Sequence, residues 1–553
     1  MLGIACRFHQ RPVVEEFFQL FKVPWEYVQP GKSYDALIVT DNLHVPPDVK
    51  LIIISSPRPV DLDRDYKVKL TPGRTSEISL SDERHLPVYT NLSCIVSPGE
   101  PFAWSEGGIP AGIRGRQGEM AYIRIGYDLF DEVQFLLTTG QPPEKAAIPT
   151  LDYHIAAVRD WILSAGLPLF EIPPFPPGYE YIACLTHDVD FLGIRDHFFD
   201  RTMAGFIARA VRPPGNSSLV RRETWRRYAR NLKALVSLPF VYLGLARDFW
   251  FQLDRYLGLE KDMPSTFYFI PQRGKPGTLS PGKISVEAPG HRAIKYGQAK
   301  LKAGIELLLI NDREVGVHGL DSWHDLEKAR EEIEAIRSIT GQQNIGIRMH
   351  WLYFSSLTAK VLGSAGYRYD STVGYNDAVG FRAGTAQVYE LPGSMGVMEL
   401  PMHIQDSAMF YSGRMGIYEE EAFNKCENII NNVSKFGGAL TINWHQRSLA
   451  PERNWDVFYQ KLLKRLNENK VWFATAMHAV EWFAARRELR FERVDYRQKE
   501  VTLTINGNRE PFENKVNIQL HNSGGKGSTV LEKCVEITRQ KRIEMNFALE
   551  DRQ

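Results

Sequence analysis

Two carboxylates, Asp188 and Asp190, stand two positions apart where the apolar run Tyr181-Ile182-Ala183-Cys184-Leu185 gives out. On a strand, positions i and i+2 face the same way. Desolvating two like charges at one spot is costly unless they hold a cation, pair with a base or activate water. Four later segments end in residues of complementary chemistry: Glu314–His318, Ile345–His350 with Arg348 and His350 two apart, Tyr367–Thr372 with Asp370, and Leu440–His445. One such histidine reads as a core or loop residue. Five strand ends carrying Asp, His or Arg point instead to one catalytic mouth. Carboxylates and imidazoles in such a set are the types that hold a cation or activate water.

The elements that must position these residues follow from periodicity. Strand-like runs at Ile182–Leu185, Thr266–Ile270, Val315–His318, Gly346–Arg348, Leu440–Trp444 and Trp472–Thr475 alternate with helical stretches at Asp325–Ile339, Leu357–Ala365 and Val457–Glu468. That alternation predicts a parallel sheet with its functional residues at the C-terminal strand ends. Upstream, Ala36–Thr40 and Leu51–Ile54 predict an N-terminal α/β domain over 1–150, and Gly107–Gly118 reads as a loop. A helical linker, 151–180, closes on the proline-rich stretch Ile172–Gly178. Alternating residues near Val501–Ile505, followed by Asn506-Gly507 as a hairpin turn, predict a small β domain over 491–553.

The 553 residues are too many for one ordinary domain. A hydrophobic fraction of 43% and a charged fraction of 24% are those of a soluble globular chain, and a net charge of +1 argues against nucleic acid as partner. Five scattered cysteines without a C-x-x-C pair fit a reducing compartment and exclude a disulfide scaffold. The start of the chain does not read as a signal peptide, and no apolar run reaches the length of a spanning helix. The expectation is a cytoplasmic protein, at most peripheral to the inner membrane.

The order Thr186-x-Asp188-x-Asp190, Ser265–Phe269, Glu314–His318, Gly346–Arg348, Gly366–Asp370 and a late Trp444-His445 resembles the polysaccharide deacetylase family (NodB-like, carbohydrate esterase family four) over 181–490. Ile125–Phe130 and Thr186–Asp190 are similar to a bacterial branch with an extra N-terminal region. The resemblance implies a distorted (β/α) barrel, a divalent metal (commonly zinc) and hydrolysis of an N-acetyl group on an amino sugar. It further implies Asp188 as general base, Asp190 and His318 as metal ligands, Arg348 orienting the base, Asp370 tuning the late histidine, and His445 as general acid. The family's second metal histidine falls at Ser322, which is no ligand; Ser322–Asp325 reads as a helix N-cap. His350 is the choice for the third ligand, with His324 and Asp321 as alternatives. Arg382, Trp351 and Trp444 are candidate substrate contacts, and Glu399–Asp406 is a further stretch expected to line the pocket.

A connection of some 70 residues separates Asp190 from Ser265, taken as an insertion over 191–264. It holds Arg221, Arg222, Arg226, Arg227, Arg230 and Lys233, then the apolar Leu235–Leu245. This reads as a helical lid or as a membrane-surface element over 205–255, suited to an N-acetylated or lipid-linked saccharide. The rival from another class is a catalytically silent carbohydrate-binding or assembly protein that has lost a metal ligand.

Overall fold

In a computed structural model of the chain, the described residues are 1–42, 46, 48–73, 77–81, 84–211, 221–279, 288, 290, 293–496, 498, 500–505, 515–522, 529–536 and 542–547, without the side chains of 221–227, 501, 503 and 505. The catalytic candidates lie on a curled sheet of ten strands. Its central strand, Tyr181–Val189, is buried at all nine positions, as expected where helices cover both faces of a parallel sheet. On one side it pairs in parallel with Ser265–Phe269, which is followed in order by Glu314–Gly319, Gly346–Met349 and Tyr369–Asp370; on the other side lies Ala439–Asn443. Val471–Phe473 pairs with the start of the central strand.

One segment borders both ends of this sheet. Met398–Glu399 runs parallel to Tyr369–Asp370, and Ile404–Gln405 runs parallel to Ala439–Asn443. Between them Pro401 has no N–H to donate, and the ladder is interrupted. The architecture is therefore mixed α/β with a parallel half-barrel, coarser than the complete (β/α) barrel expected.

The connecting helices follow their apolar stripes. Leu326–Thr340 buries Ala329, Ile333 and Ile336 and ends at Gly341 in the left-handed region, φ +69°. Its N-cap is Asp325, whose carboxylate accepts from the Glu327 and Lys328 amides, so the expected cap at Ser322 moves three residues on. Ser322 is instead buried and donates to Glu332 Oε2 at 2.6 Å.

The N-terminal residues form a nine-stranded sheet. Trp25–Tyr27, Leu2–Ala5, Ala36–Val39, Leu51–Ser55 and Met120–Ile125 are parallel, and four further strands continue it antiparallel. Helix Arg11–Phe21 lays Val13, Val14, Phe17, Phe18, Leu20 and Phe21 against it. The glycine-rich stretch read as a loop is largely a strand, Pro110–Gln117. A Cβ at Gly115 would sit 2.5 Å from the Tyr122 ring, so glycine there makes room for a cross-strand aromatic.

The 151–180 stretch is not wholly helical. Helix Thr150–Ser164 leads to strand Leu169–Glu171, which pairs with Lys515–Asn522 near the C-terminus. A second three-stranded sheet joins Leu489–Asp495, Glu500–Ile505 and Arg542–Asn546. Asn506 and Gly507 lie outside the described residues.

The insertion forms helices Arg201–Val211, Arg221–Tyr242 and Leu253–Leu259 around a small core that includes Ile194, Phe206, Leu238, Val241 and Trp250. It is clamped to the loop after His445: Gln446 Nε2 donates to the Trp250 carbonyl at 2.5 Å, and an Arg255 Nη donates to the Leu449 carbonyl at 2.8 Å. Arg230 of the basic cluster pairs with Asp456 at 3.2 Å. The side chains of Arg221, Arg222, Arg226 and Arg227 lie outside the described residues. Among the described residues no helix is long and apolar enough to cross a membrane.

Candidate active site

Parallel register brings the chemistry to one end of the sheet. Asp188 faces Tyr268 across one ladder and His318 faces Arg348 across another, so their side chains leave the same rim. Asp188 is buried, takes a 3.1 Å hydrogen bond from an Arg348 Nη and a 2.7 Å bond from Asn443 Nδ2. Arg348 is itself fixed by the Ser371 carbonyl, Ser371 Oγ and Thr186 Oγ1 at 2.8–3.0 Å. Burial alone would raise the Asp188 carboxyl, but His318, Arg348 and His445 together hold it below the ordinary aspartate value, so it stays a carboxylate.

Asp190, His318 and His350 present ligand atoms that lie within 4.8 Å of one another. Asp190 Oδ1 is 3.4 Å from both His318 Nε2 and His350 Nδ1, is buried and makes no hydrogen bond. His318 Nδ1 meets the Arg348 carbonyl at 2.9 Å, which puts the ring proton there and leaves the Nε2 lone pair facing the cluster. Burial presses His350 down to about 3 despite Asp190 beside it, so its ring is neutral and can ligate. Sheet alternation does not deliver His350, because the strand stops at Met349. A tight turn does, with Trp351 at φ +61° and Leu352 at φ +57°. An orphaned buried carboxylate oxygen facing two imidazole nitrogens is a donor set that a divalent cation would satisfy. The alternatives stand outside this cluster: Asp321 Oδ1 accepts from the Thr278 amide at 2.7 Å, and the buried His324 Nε2, 3.6 Å from that oxygen, makes no hydrogen bond.

His445 completes the rim. Its Nε2 stands 3.9 Å from Asp188 Oδ2, and its Nδ1 meets Asp406 Oδ1 at 2.6 Å. Asp406 also accepts from the His445 amide at 2.7 Å and from Ser448 Oγ. Burial would depress this imidazole, but Asp406, with Asp188 and Asp190 nearby, pushes it up to about 9. The resting ring is cationic.

Several expectations need correction. The carboxylate bonded to the late histidine is Asp406, not Asp370. Asp370 accepts from Thr372 Oγ1 and lies against Glu399. Burial drives Asp370 up to about 7 and Glu399 well above the ordinary carboxylate value, the Asp370 charge adding to the rise at Glu399, so the pair keeps a proton at neutral pH. Trp444 is fully buried and stacked against Phe458 and Tyr459, so the structure places it in the core rather than at the rim. Arg382 donates to the Gly374 carbonyl at 2.8 Å, and its own carbonyl takes the Gln141 amide, which makes it a joint with the N-terminal region. Trp351 stays at the rim, its ring 4.3 Å from that of His350. Asn443 carries no role in the sequence reading, and Asp406 enters it only as the end of the pocket-lining stretch Glu399–Asp406. Asn443 lies on the same face as His445 by alternation, a usable signal; Asp406 sits 39 residues before its partner, and nothing local announces the contact.

No family model matches the chain, and no curated protein matches its sequence. Solved structures do resemble it. A chain described as a polysaccharide deacetylase from Mycobacterium smegmatis is 18% identical, with 57% of this chain and 96% of that one covered and a TM-score of 0.36. Another so described, from Pseudomonas aeruginosa PAO1, gives 14% identity, 56% and 92% coverage and 0.35. The allantoinase PuuE gives 13%, 57% and 93%, and 0.33. At such identities and TM-scores the likeness carries no inference about activity.

Proposed function

We propose that the chain is a metal-dependent hydrolase that removes N-acetyl groups from amino sugars of an envelope or extracellular polysaccharide, or of its lipid-linked precursor. The observation that supports this most is the unbonded Asp190 oxygen facing two imidazoles, with a carboxylate base and a cationic imidazole on either side. Asp190, His318 and His350 would hold the cation, and this mixed oxygen and nitrogen set suits zinc. When bound, the cation supplies a Lewis acid for the acetyl oxygen and acidifies water. Asp188, kept anionic by Arg348 and aimed by Asn443, takes the proton of the attacking water. His445, held at Nδ1 by Asp406, gives its Nε2 proton to the departing nitrogen, so acetate and a free amine leave. Lipid contact is supported by Phe198, Phe199, Val236, Phe240, Leu243 and Leu245, all exposed on the insertion.

A second reading, a silent saccharide-binding protein, draws on Ser322, which is spent on Glu332 where the resemblance would have a ligand. An assay of acetate release from N-acetylglucosamine oligomers with zinc-loaded protein separates the two. The hydrolase releases acetate, and Asp188→Asn or His445→Ala each lowers the rate by about 10²–10⁴-fold. Bound zinc without acetate from neutral or phosphorylated amino sugars refutes the hydrolase.

A further inference from the structure

Beside the catalytic rim lies a cluster of arginines with almost no acid to balance it. Arg453 stacks its guanidinium carbon 4.4 Å from the Tyr411 ring centre, and Arg414 approaches the same ring at 5.5 Å. Arg447 lies 3.6 Å over Trp250 and pairs with Glu452 at 2.7 Å. Arg209, carried in by the insertion, has a buried Nε that makes no hydrogen bond. Among the described residues no carboxylate lies in ion-pair contact with Arg209, Arg414 or Arg453; Glu452 pairs with Arg447, and its charge reaches Arg209 only from farther off. All three unpaired arginines are half-buried, and burial followed by Arg453 lowers the Arg209 guanidinium from its ordinary value.

The cluster is built on the loops that carry the acid. Arg447 follows His445 by two residues, and Arg414 donates to Ser407 Oγ at 2.6 Å, next to Asp406. Tyr411 joins the two regions: burial raises its hydroxyl, the cluster's Arg453 pulls it back, and the catalytic carboxylates Asp406 and Asp190 raise it again. Partly desolvated guanidinium groups left without a counter-ion are unfavourable unless a ligand supplies the charge. A single carboxylate would answer one of them. A phosphoryl group, with more than one charge and several acceptor oxygens, answers the set through forked charge-assisted bonds.

We propose that Arg209, Arg414 and Arg453 form an anion subsite flanking the general acid, and that the substrate is an N-acetylated sugar carrying a phosphate or diphosphate. This rests on the deacetylase reading and names its substrate class. Nucleoside diphosphate sugars and polyprenyl diphosphate sugars share the required chemistry.

Calorimetric titration of the Asp188→Asn chain tests it with three probes: uridine diphosphate N-acetylglucosamine, a short-chain polyprenyl diphosphate N-acetylglucosamine, and neutral di-N-acetylchitobiose. At least one phosphorylated probe binds roughly tenfold or more tightly than the neutral one, and the tighter of the two identifies the source. Adding Arg209→Gln and Arg453→Gln brings the ratio to about one with the melting temperature unchanged, whereas Arg330→Gln on an outer helix leaves it as it was. Equal affinity for all probes, or a preference that survives the double substitution, overturns the subsite. Acetate release by the unsubstituted chain is read separately. A phosphate preference without acetate from any probe sinks the hydrolase and spares the subsite. Acetate from chitobiose without a phosphate preference does the reverse.

Discussion

Two sheets in this molecule end in polar clusters at their parallel strands; in one the Arg7 Nε goes unbonded, but only in the other is a buried carboxylate oxygen left without a donor. At the C-terminal ends of the N-terminal strands, Gln10 and Arg7 converge on Asp128. That carboxylate accepts from the Phe130 and Asp131 amides at 3.0 and 3.2 Å, from Gln10 Nε2 and from Arg7 at 2.7 Å. Nearby, buried Arg124 spends its guanidinium on Asp63 and the carbonyls of Ser56, Ile125 and Arg58. At the rim of the half-barrel, by contrast, Asp190 Oδ1 has no donor, and two ring nitrogens face each other at 3.0 Å. Polar convergence at strand ends is therefore not enough to mark a site. What distinguishes the second cluster is a buried carboxylate oxygen that no protein donor uses.

The contrast breaks most sharply at the proposed metal ligands. His350→Ala or Asp190→Ala should abolish stoichiometric zinc and cut acetate release by roughly a thousandfold or more, measured by elemental analysis beside the assay. His324→Ala and Asp321→Ala should retain the metal, because neither side chain belongs to the cluster of Asp190, His318 and His350. Zinc retained in His350→Ala, or lost in His324→Ala, would reassign the third ligand.

A somewhat smaller effect tests the orienting carboxylate. With His445 held at about 9, the acid form is present at neutral pH and disappears as pH rises through that value, so the rate should fall on the alkaline side near 9. Asp406→Asn removes the charge that raises the ring. Burial then acts unopposed by that partner, and the alkaline fall should move down toward or below the ordinary histidine value of about 6.5. The maximal rate should drop by about 10²-fold or more, since Asn also favours the wrong tautomer. An unmoved alkaline limb would mean that another group gives up the proton.

What the sequence reveals and conceals divides along the same line. Asp188, Asp190, His318 and Arg348 are legible because each ends an apolar run, and alternation fixes the face it leaves. The helix Leu326–Thr340 is legible from its stripe and its glycine stop. Asp406 is read only as the end of a pocket-lining stretch, because it opens a five-residue helix 39 positions before His445 and no period announces that contact. Trp444 misleads for the opposite reason: it neighbours His445 in sequence, yet alternation turns it into the core. Gly115 reads as a loop residue until Tyr122 is seen lying across it. The strand Leu169–Glu171 is hidden because its partner lies more than 340 residues on, a pairing with no local signature.

The smallest effect on activity is expected where the N-terminal cluster is broken. Asp128 caps helix Leu129–Thr138 and receives Gln10 and Arg7, so Asp128→Ala strips the cap and leaves those donors to Asp131 alone. Loss of a cap and of one partner in a largely buried ion pair together cost about 2–4 kcal/mol, read as a lower denaturant midpoint. Zinc content and acetate release in the folded fraction should stay within about twofold of the unsubstituted chain, because no catalytic side chain bonds to this cluster. The separation is not guaranteed by distance alone. Arg382 ties the half-barrel to Gly140 and Gln141, which follow the helix that Asp128 caps, so strain there has a path toward Glu399 and Asp370. A fall in turnover larger than the loss of folded protein would show that this joint transmits, and would make the satisfied cluster a positioning element for the unsatisfied one.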